Sequence, residues 1–395
     1  MNKRYRMSKT LSCCLCLLVI ISGCNIQIGD WGQAIYEITV QRQAPITAGS
    51  KLYVQTSSGS ITITGGDVTE CSVIASICGR APTAEEAQQL AEQVKIELET
   101  VGDTLTVKAD KPQDKNRRSI SINYDITIPK QTNIECASSY GAIEIANIEG
   151  TASGKTSSGS IQAKNIDGPV NLDTSYGSVN CRNITGDNIT VKTSSGSITA
   201  EIIKGSAQLT TSYGSIICTD MSDGDVILKT SSGNIKLSNI SFGDCDAHTS
   251  YGSIVSDELT GKSIKLHSGS GSISVTDSSA NMTNLSTSYG RITCRQITIN
   301  DITAKSGSGN LDIACSDSTP DEIVADLVTS YGSIEFAAPQ NFAGQVDLST
   351  SYGSIRTGRP ITISGEISKK KLNGTMGEGN GKLYMQTGSG SINLI

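Results

Sequence analysis

The sequence predicts an all-β fold, in which a short repeat stacks on itself to form a parallel β-helix. One observation is that a Thr-Ser-Ser/Tyr-Gly-Ser-Ile signature recurs along the chain, with successive central glycines 18 or 19 residues apart. A second observation is that apolar residues follow these glycines at alternating positions, as Ile161 and Ala163 follow Gly159. Alternation with a period of two is typical of β-strands.

Each copy of the repeat is too small to fold alone. A second alternating pair, such as Val170 and Leu172, follows a turn, so one copy supplies two or three short strands. Stacked copies can bury these apolar residues in a continuous core. The regular copies have their glycines at Gly141, Gly159, Gly177, Gly196, Gly214, Gly233, Gly252, Gly271, Gly290 and Gly309, and looser copies lie at Gly59, Gly332, Gly353 and Gly390.

The repeat is compatible with two coil lengths. Copies alternate strictly between Ser-Ser-Gly and Ser-Tyr-Gly, so a coil of 37 residues is the alternative to one of 18–19 residues. In the longer coil Lys155, Lys192 and Lys229 would stack directly, and facing like charges are unfavourable. We therefore favour coils of 18–19 residues.

The composition of the chain excludes several classes of protein. Only 4% of the 395 residues are aromatic, which argues against a thick globular core. The net charge of −6 argues against a nucleic-acid partner, because nucleic-acid binding normally needs a concentrated basic surface. The chain has two histidines, so we predict no metal site and no cofactor.

The N-terminus has the pattern of an export signal. In residues 1–23 a basic head precedes an apolar run from Leu11 to Ile21, which is too short to span a bilayer stably. Ile21-Ser22-Gly23-Cys24 resembles the bacterial lipobox, which implies that Cys24 carries the lipid and that residues 24–34 form a short tether. A transmembrane anchor and an ordinary secretory signal are the alternatives.

The residue after the lipidation site bears on the location of the protein. Asn25 stands where an aspartate would favour retention in the inner membrane of some two-membrane bacteria. We therefore predict a protein of the cell envelope, anchored by its lipid in the outer membrane. Whether it faces the periplasm or the cell surface stays open.

Two segments depart from the repeat. Within residues 76–131, Thr83-Ala84-Glu85-Glu86 has the pattern of a capping box, and Val101-Gly102-Asp103 has that of a hairpin turn. We predict a small helix-hairpin insertion or cap over these residues. Residues 354–395 lose regularity around Lys369-Lys370-Lys371 and are predicted to form a C-terminal cap.

The chain resembles a family of bacterial envelope domains of unknown function known as "putative adhesins". The matching features are the Ser-Gly-Ser-Ile copies, the helix from Thr83 to Val94 with its hairpin, and the segment Ile126-Thr127-Ile128-Pro129. The resemblance covers residues 35–395, which we take as one β-helix domain. It implies a right-handed β-helix in a cell-envelope setting, and it brings no catalytic residues with it.

Tyrosines are the candidate ligand contacts. They recur immediately before the glycine of alternate copies, at Tyr140, Tyr176, Tyr213, Tyr251 and Tyr289. A tyrosine combines an apolar face with a polar tip, so a row of them could stack against sugar rings. Packing at a coil corner would explain the same row. We also expect His248 and His267 to stack on adjacent coils, and the cysteines of the repeat to occupy core positions.

We predict a lipid-anchored, non-enzymatic binding or adhesion surface of the cell envelope, with a glycan or another envelope protein as its ligand. A periplasmic scaffold or envelope-stress partner is the alternative. An enzyme would need a cluster of acids and bases that interrupts the repeat, and only the region of Asp317, Asp321 and Glu322 offers one. The recurring Thr156, Thr174 and Thr193 also raise an ice-binding face. The oligomeric state stays open.

Overall fold

The structure is a computed structural model that describes residues 19–21, 26–28, 33–112 and 118–395. Cys24, the predicted lipidation site, lies outside the described residues, as does most of the predicted signal segment.

The N-terminal part contains the one helix of the described chain and nine strands. They are β1 (Val19–Ile21), β2 (Ile26–Ile28), β3 (Ala34–Pro45), β4 (Lys51–Thr56), β5 (Ile61–Gly66), β6 (Glu70–Ala81), α1 (Ala84–Glu92), β7 (Lys95–Val101), β8 (Thr104–Asp110) and β9 (Ser119–Pro129).

The regular repeat forms the next eighteen strands. They are β10 (Asn133–Ser138), β11 (Ile143–Glu149), β12 (Ala152–Thr156), β13 (Ile161–Asp167), β14 (Val170–Thr174), β15 (Val179–Thr185), β16 (Ile189–Thr193), β17 (Ile198–Lys204), β18 (Ala207–Thr210), β19 (Ile216–Thr230), β20 (Ile235–Thr249), β21 (Ile254–Ser268), β22 (Ile273–Thr276), β23 (Ser279–Thr287), β24 (Ile292–Ser306), β25 (Leu311–Cys315), β26 (Val324–Thr329) and β27 (Ile334–Ala337). The C-terminal part contains β28 (Gly344–Thr350), β29 (Ile355–Thr357), β30 (Thr362–Ser368), β31 (Lys371–Met376), β32 (Gly381–Thr387) and β33 (Ile392–Leu394).

The fold is an all-β solenoid of the right-handed type with coils of about 19 residues. Each regular coil adds one strand to each of two parallel rows: β13 pairs with β15 in one row, and β14 pairs with β16 in the other. The shorter coil length is therefore confirmed. Asp173 lies between Lys155 and Lys192 in the register, and its carboxylate is 3.5 Å from the Lys155 ammonium. This pairing dilutes the column of like charges.

The interior is a set of aliphatic columns. Every second residue of a strand points inward, and equivalent residues of successive coils stack, as Ile143, Ile161 and Val179 do. All three are at most 1% exposed. Two rows of short strands enclose a narrow interior that Ile, Val and Leu fill, which explains why the chain needs so few aromatic residues.

A threonine and a glycine define the corner between the two rows. The Thr193 hydroxyl donates to the carbonyl of Gly177 in the preceding coil (3.0 Å) and accepts from the N–H of Gly196 in its own coil (3.1 Å). A Cβ atom on Gly196 would lie 1.8 Å from the Gly177 carbonyl oxygen. Because that distance is far inside van der Waals contact, only glycine fits at this position.

The N-terminal coils stack out of chain order. Strands β8 and β9 pair in parallel with β4 and β5, while β10 and β11 pair with the opposite edges of β4 and β5. The coil of residues 51–66 is thus the second in space. The predicted separate helix-hairpin insertion is not confirmed. Helix α1 lies against β6, and β7 pairs antiparallel with β8, but β8 and β9 themselves continue the two rows.

The C-terminal coils are also out of order. Strand β32 pairs with both β26 and β28, and β33 pairs with both β27 and β29. The last coil of the chain therefore lies between two coils that precede it in sequence. The structure divides the predicted cap of residues 354–395: residues 381–394 lie inside the stack, whereas β30 and β31 extend its end by antiparallel pairing.

Replacing a corner glycine tests the steric constraint. We expect Gly196→Ala to lower the free energy of unfolding by about 3 kcal/mol or more, the upper end for overpacking, because the new methyl meets a backbone carbonyl. Gly66→Ala is the matched control, since its methyl would meet only side-chain atoms at 3.7 and 3.8 Å. Denaturant unfolding measures both variants, and equal losses would contradict this account of the corner.

A pair of engineered cysteines tests the order of the C-terminal coils. Asp326 and Tyr384 are direct register partners, so Asp326→Cys with Tyr384→Cys places two Cα atoms about 4.8 Å apart, within disulfide reach. Asp326 and Asp347 would be neighbours only if the coils followed chain order. In the structure they are two coils apart, because Tyr384 lies between them. Asp326→Cys with Asp347→Cys is therefore the control. Peptide mapping after mild oxidation should find the first disulfide, and finding the second instead would refute the exchanged order.

Candidate binding edge

The five predicted tyrosines lie on one edge of the solenoid. Each of them stands immediately before the corner glycine of its coil, which lies against the corner glycine of the neighbouring coil. They are Tyr140, Tyr176, Tyr213, Tyr251 and Tyr289. Their side chains are 70–74% exposed. Packing at the corner therefore does not account for the row, because the rings contact little of their own chain. Each corner consists of four residues, which run from two positions before the corner glycine to one position after it. We call the row of these corners along the solenoid the tyrosine edge.

Two further tyrosines belong to the tyrosine edge. Tyr331 and Tyr352 are 70% and 82% exposed at equivalent corners. The sequence interpretation missed them because their copies are irregularly spaced, although both follow the same Thr-Ser-Tyr-Gly pattern. The ammonium of Lys370 lies 5.8 Å from the centre of the Tyr352 ring, within the range of a cation–π contact.

Tyrosine and serine alternate strictly along the edge in space. In chain order the last three corners carry Tyr331, Tyr352 and Ser389, which breaks the alternation. Because the last coil lies between the other two, the spatial order is Tyr331, Ser389, Tyr352. The full series is Ser58, Tyr140, Ser158, Tyr176, Ser195, Tyr213, Ser232, Tyr251, Ser270, Tyr289, Ser308, Tyr331, Ser389 and Tyr352.

The backbone beneath the tyrosines is held firmly. The N–H groups of Ser175 and Tyr176 both donate to the Ser157 carbonyl of the preceding coil, at 3.2 and 3.1 Å. The buried Thr174 hydroxyl donates to Gly159 and accepts from Gly177. The tyrosine rings therefore project from a rigid support at intervals of two rungs, about 9.6 Å.

The tyrosine edge is almost free of charge. Across the fourteen corners Arg291 is its one charged residue, although 18% of the chain is charged. The other positions hold serine, glycine, asparagine and tyrosine, apart from Ala142. Depletion of charge with enrichment of tyrosine is typical of interface cores, and Tyr, Ser, Gly and Asn dominate antibody binding loops. The composition of the edge is thus similar to that of known interfaces.

The threonine row cannot form an ice-binding face. Thr156, Thr174 and Thr193 are at most 6% exposed and direct their hydroxyls to the corner glycines. The threonines recur in register because each corner needs an internal hydrogen bond.

The two histidines stack as expected. The ring centroids of His248 and His267 are 4.7 Å apart, with 7° between the planes, and Nδ1 of His267 is 2.7 Å from the Ser286 hydroxyl. Burial, the neighbouring His248 and Lys265 lower the pKa of His267 below its ordinary value of 6.5, and Asp246 opposes this. Lys229 lies next to His248 in the register.

The cysteines of the repeat are core residues. Cys136, Cys181, Cys218, Cys245 and Cys294 are at most 1% exposed and unpaired. Burial raises the pKa of the Cys181 thiol to about 12, which keeps it protonated and poorly reactive. Cys181 and Cys218 lie two coils apart, on either side of Ala200.

Asp321 and Glu322, two of the acidic residues considered for catalysis, contact residues of the C-terminal part of the chain. The Asp321 carbonyl accepts from the Ala343 N–H, and the Glu322 carboxylate contacts the Asn380 amide at 3.3 Å. Within the described ranges, no group of three or more His, Cys, Asp or Glu could hold a metal ion. No helix in the part of the chain that the structure describes is long and apolar enough to cross a membrane.

Comparison with known families identifies the repeat. The model of the Toastrack DUF4097 family matches residues 81–223 and 215–395. The chain belongs to the Toastrack DUF4097 family. This confirms the resemblance seen in the sequence. No curated protein matches the chain.

Solved structures similar to this Toastrack protein come from three bacteria. A "putative cell adhesion protein" from Clostridium sporogenes is 9% identical, with a TM-score of 0.22, and the match covers 90% of this chain and 98% of that chain. A "putative adhesin" from Bacteroides fragilis is 14% identical, with a TM-score of 0.19 and coverages of 90% and 97%. A "putative lipid binding protein" from Parabacteroides distasonis is 13% identical, with a TM-score of 0.20 and coverages of 90% and 96%. With such low TM-scores, the family assignment rests on the sequence match.

The histidine pair gives a pH-dependent prediction. The pKa of His267 is lowered in the folded state, so the unfolded chain binds more protons just below pH 6.5. The stability that this group contributes is complete above pH 6.5 and is lost as the pH falls through the lowered pKa. We expect the His267 ring to titrate below 6.5 by NMR, which needs the assignment of only two histidines.

His248→Asn is the informative variant for this pair, because it removes the imidazole ring that stacks on His267. It should move the pKa of His267 toward 6.5 and reduce the loss of thermal stability between pH 7.5 and pH 5.5. An unchanged titration would show that His248 does not influence His267.

Proposed function

We propose that this Toastrack protein is a lipid-anchored, non-enzymatic component of the bacterial cell envelope, and that it acts as an elongated binding or adhesion surface. The observation that carries the proposal is the tyrosine edge, with seven exposed rings on a nearly uncharged surface. Large exposed aromatic surfaces are costly to leave in water, and they mark interaction sites. The regular spacing of the rings favours a long ligand over a small molecule.

The chemistry of the tyrosine edge fits both ligand classes named from the sequence. A tyrosine ring can stack on a sugar ring, and its hydroxyl can exchange hydrogen bonds with a glycan or a protein. The flanking serines and asparagines add adaptable donors and acceptors. Neither class requires a cofactor, a metal or a reactive group.

The envelope location rests on the N-terminal sequence. The lipobox-like Ile21-Ser22-Gly23-Cys24 supports lipidation at Cys24, and residues 24–34 would tether the solenoid to the outer membrane. Several acyl chains on one cysteine would hold the protein firmly, because each buried CH₂ contributes about 0.8 kcal/mol. The fourteen rungs extend roughly 60 Å, so the tyrosine edge can reach well beyond the tether.

Converting tyrosines to the serine of the neighbouring coils tests the proposal. Serine occupies the same corner in alternate coils, so Tyr176→Ser, Tyr213→Ser and Tyr251→Ser together should leave the fold intact. We expect cells that carry this triple variant to attach to polysaccharide-coated surfaces and to one another at least about tenfold less than wild type, since buried aromatic contacts dominate binding energies.

The control is Tyr53→Ser with Tyr384→Ser, which removes two tyrosines that lie outside the edge. Equal attachment by the triple variant and wild type, at equal abundance in the envelope, would contradict the proposal. Protease treatment of intact cells adds the location: protection of residues 141–309 until the envelope is opened would favour the periplasmic scaffold instead.

A further inference from the structure

We propose that the tyrosine edge binds a second copy of this chain in antiparallel orientation, with each tyrosine of one copy opposite a serine of the other. This inference rests on the proposed function and names the partner of the same surface. It starts from the spatial series of fourteen corners, which begins with Ser58 and ends with Tyr352.

The series is complementary to its own reverse. Because it alternates strictly and has a different residue type at each end, reversing it exchanges every tyrosine for a serine. In an antiparallel pair Ser58 faces Tyr352, and Ser232 faces Tyr251 beside the two-fold axis. A two-fold interface uses the same patch on both partners, so a self-complementary edge is what such a pair requires. Large residues then fill the spaces over small ones along the whole edge.

The exchanged coil order is what makes the complementarity complete. In chain order Tyr331 and Tyr352 would be neighbours, and the reversed series would set tyrosine against tyrosine near the end of the edge. The position of Ser389 between them removes this mismatch. A parallel two-fold pair offers no such fit, because each tyrosine would face its own copy across the axis.

The area of the edge is sufficient for a stable pair. Seven tyrosines from each copy, burying about 100 Å² each, give roughly 1,400 Å² in total, which is the size of a standard protein interface. The hydroxyl groups of tyrosine and the facing serines can hydrogen-bond at the rim.

The charge of Arg291 does not oppose the pairing. Arg291, the one charged residue of the edge, lies at the tenth corner, and in the antiparallel pair it faces the fifth corner, that of Ser195. The two copies of Arg291 are then five rungs, about 24 Å, apart. At that distance their repulsion is largely screened.

The antiparallel pair has a consequence for adhesion. Strand β3, which begins at Ala34, pairs with β6, and β6 pairs with β9 at one end of the solenoid. The N-terminal ends of two antiparallel copies therefore lie at opposite ends of the pair. That arrangement suits copies anchored on two facing envelopes.

Cysteine cross-linking of the full chain in the envelope of expressing cells tests the orientation. Two copies of Ser232 lie one rung apart across the axis, so Ser232→Cys should give a covalent dimer with a short bismaleimide. Two copies of Ser158 are nine rungs apart, about 43 Å, so Ser158→Cys alone should give none. Cells with Ser158→Cys mixed with cells that carry Tyr331→Cys should again give a dimer, because these corners face each other.

The wild-type chain measures the background from its own thiols. The inference is overturned if Ser232→Cys gives no dimer above that background, or if Ser158→Cys dimerises as well as Ser232→Cys, which would indicate a parallel pair. Adding the three Tyr→Ser changes to Ser232→Cys should abolish its dimer. If attachment depends on the tyrosines but no dimer forms, the binding surface stands and its ligand is a glycan or another protein. If attachment and cross-linking are both independent of the tyrosines, the proposed function fails as well.

Discussion

The corner between the two strand rows determines the rest of the structure. At thirteen corners an inward threonine or serine hydroxyl donates to a glycine carbonyl of the neighbouring coil. Each such bond contributes about 1 kcal/mol, but its loss would leave buried backbone groups without partners. The glycine is fixed at the same time, because successive backbones approach too closely for a Cβ atom. Together these contacts set the rung spacing and direct the residue between them outward.

At each corner the fold constrains the inward threonine or serine and the glycine, but it leaves the outward residue between them unconstrained. Thr193 and Gly196 cannot vary without cost, whereas the residue before the glycine contributes nothing to the core. That position nevertheless holds only tyrosine or serine, in strict alternation. Since serine occupies half of the equivalent corners, we expect the fold to accept serine in place of each tyrosine. Their regularity therefore supports the proposed binding surface.

Features that depend on local sequence patterns could be predicted, whereas those that depend on pairing between distant residues could not. The repeat, its strands and the inward cysteines were predictable because they depend on local alternation and a fixed period. The coil length followed from a nearest-neighbour argument about Lys155 and Lys192. The prediction of a helix-hairpin insertion or cap was not confirmed as a separate unit, because parallel pairing of β8 with β4 joins residues about fifty positions apart. Tyr331 and Tyr352 were missed because the spacing of their copies is irregular, although the local pattern was present.

The sequence by itself determined the all-β solenoid, the family and five of the seven edge tyrosines, because each of these is encoded within one or two repeats. The exchanged order of coils at both ends was decided by the tertiary structure. Nothing local distinguishes the coil of Gly390 from its neighbours, and its place depends on which exposed strand edges it covers. The unbroken alternation of the tyrosine edge depends on that placement, so it exists only in the folded molecule.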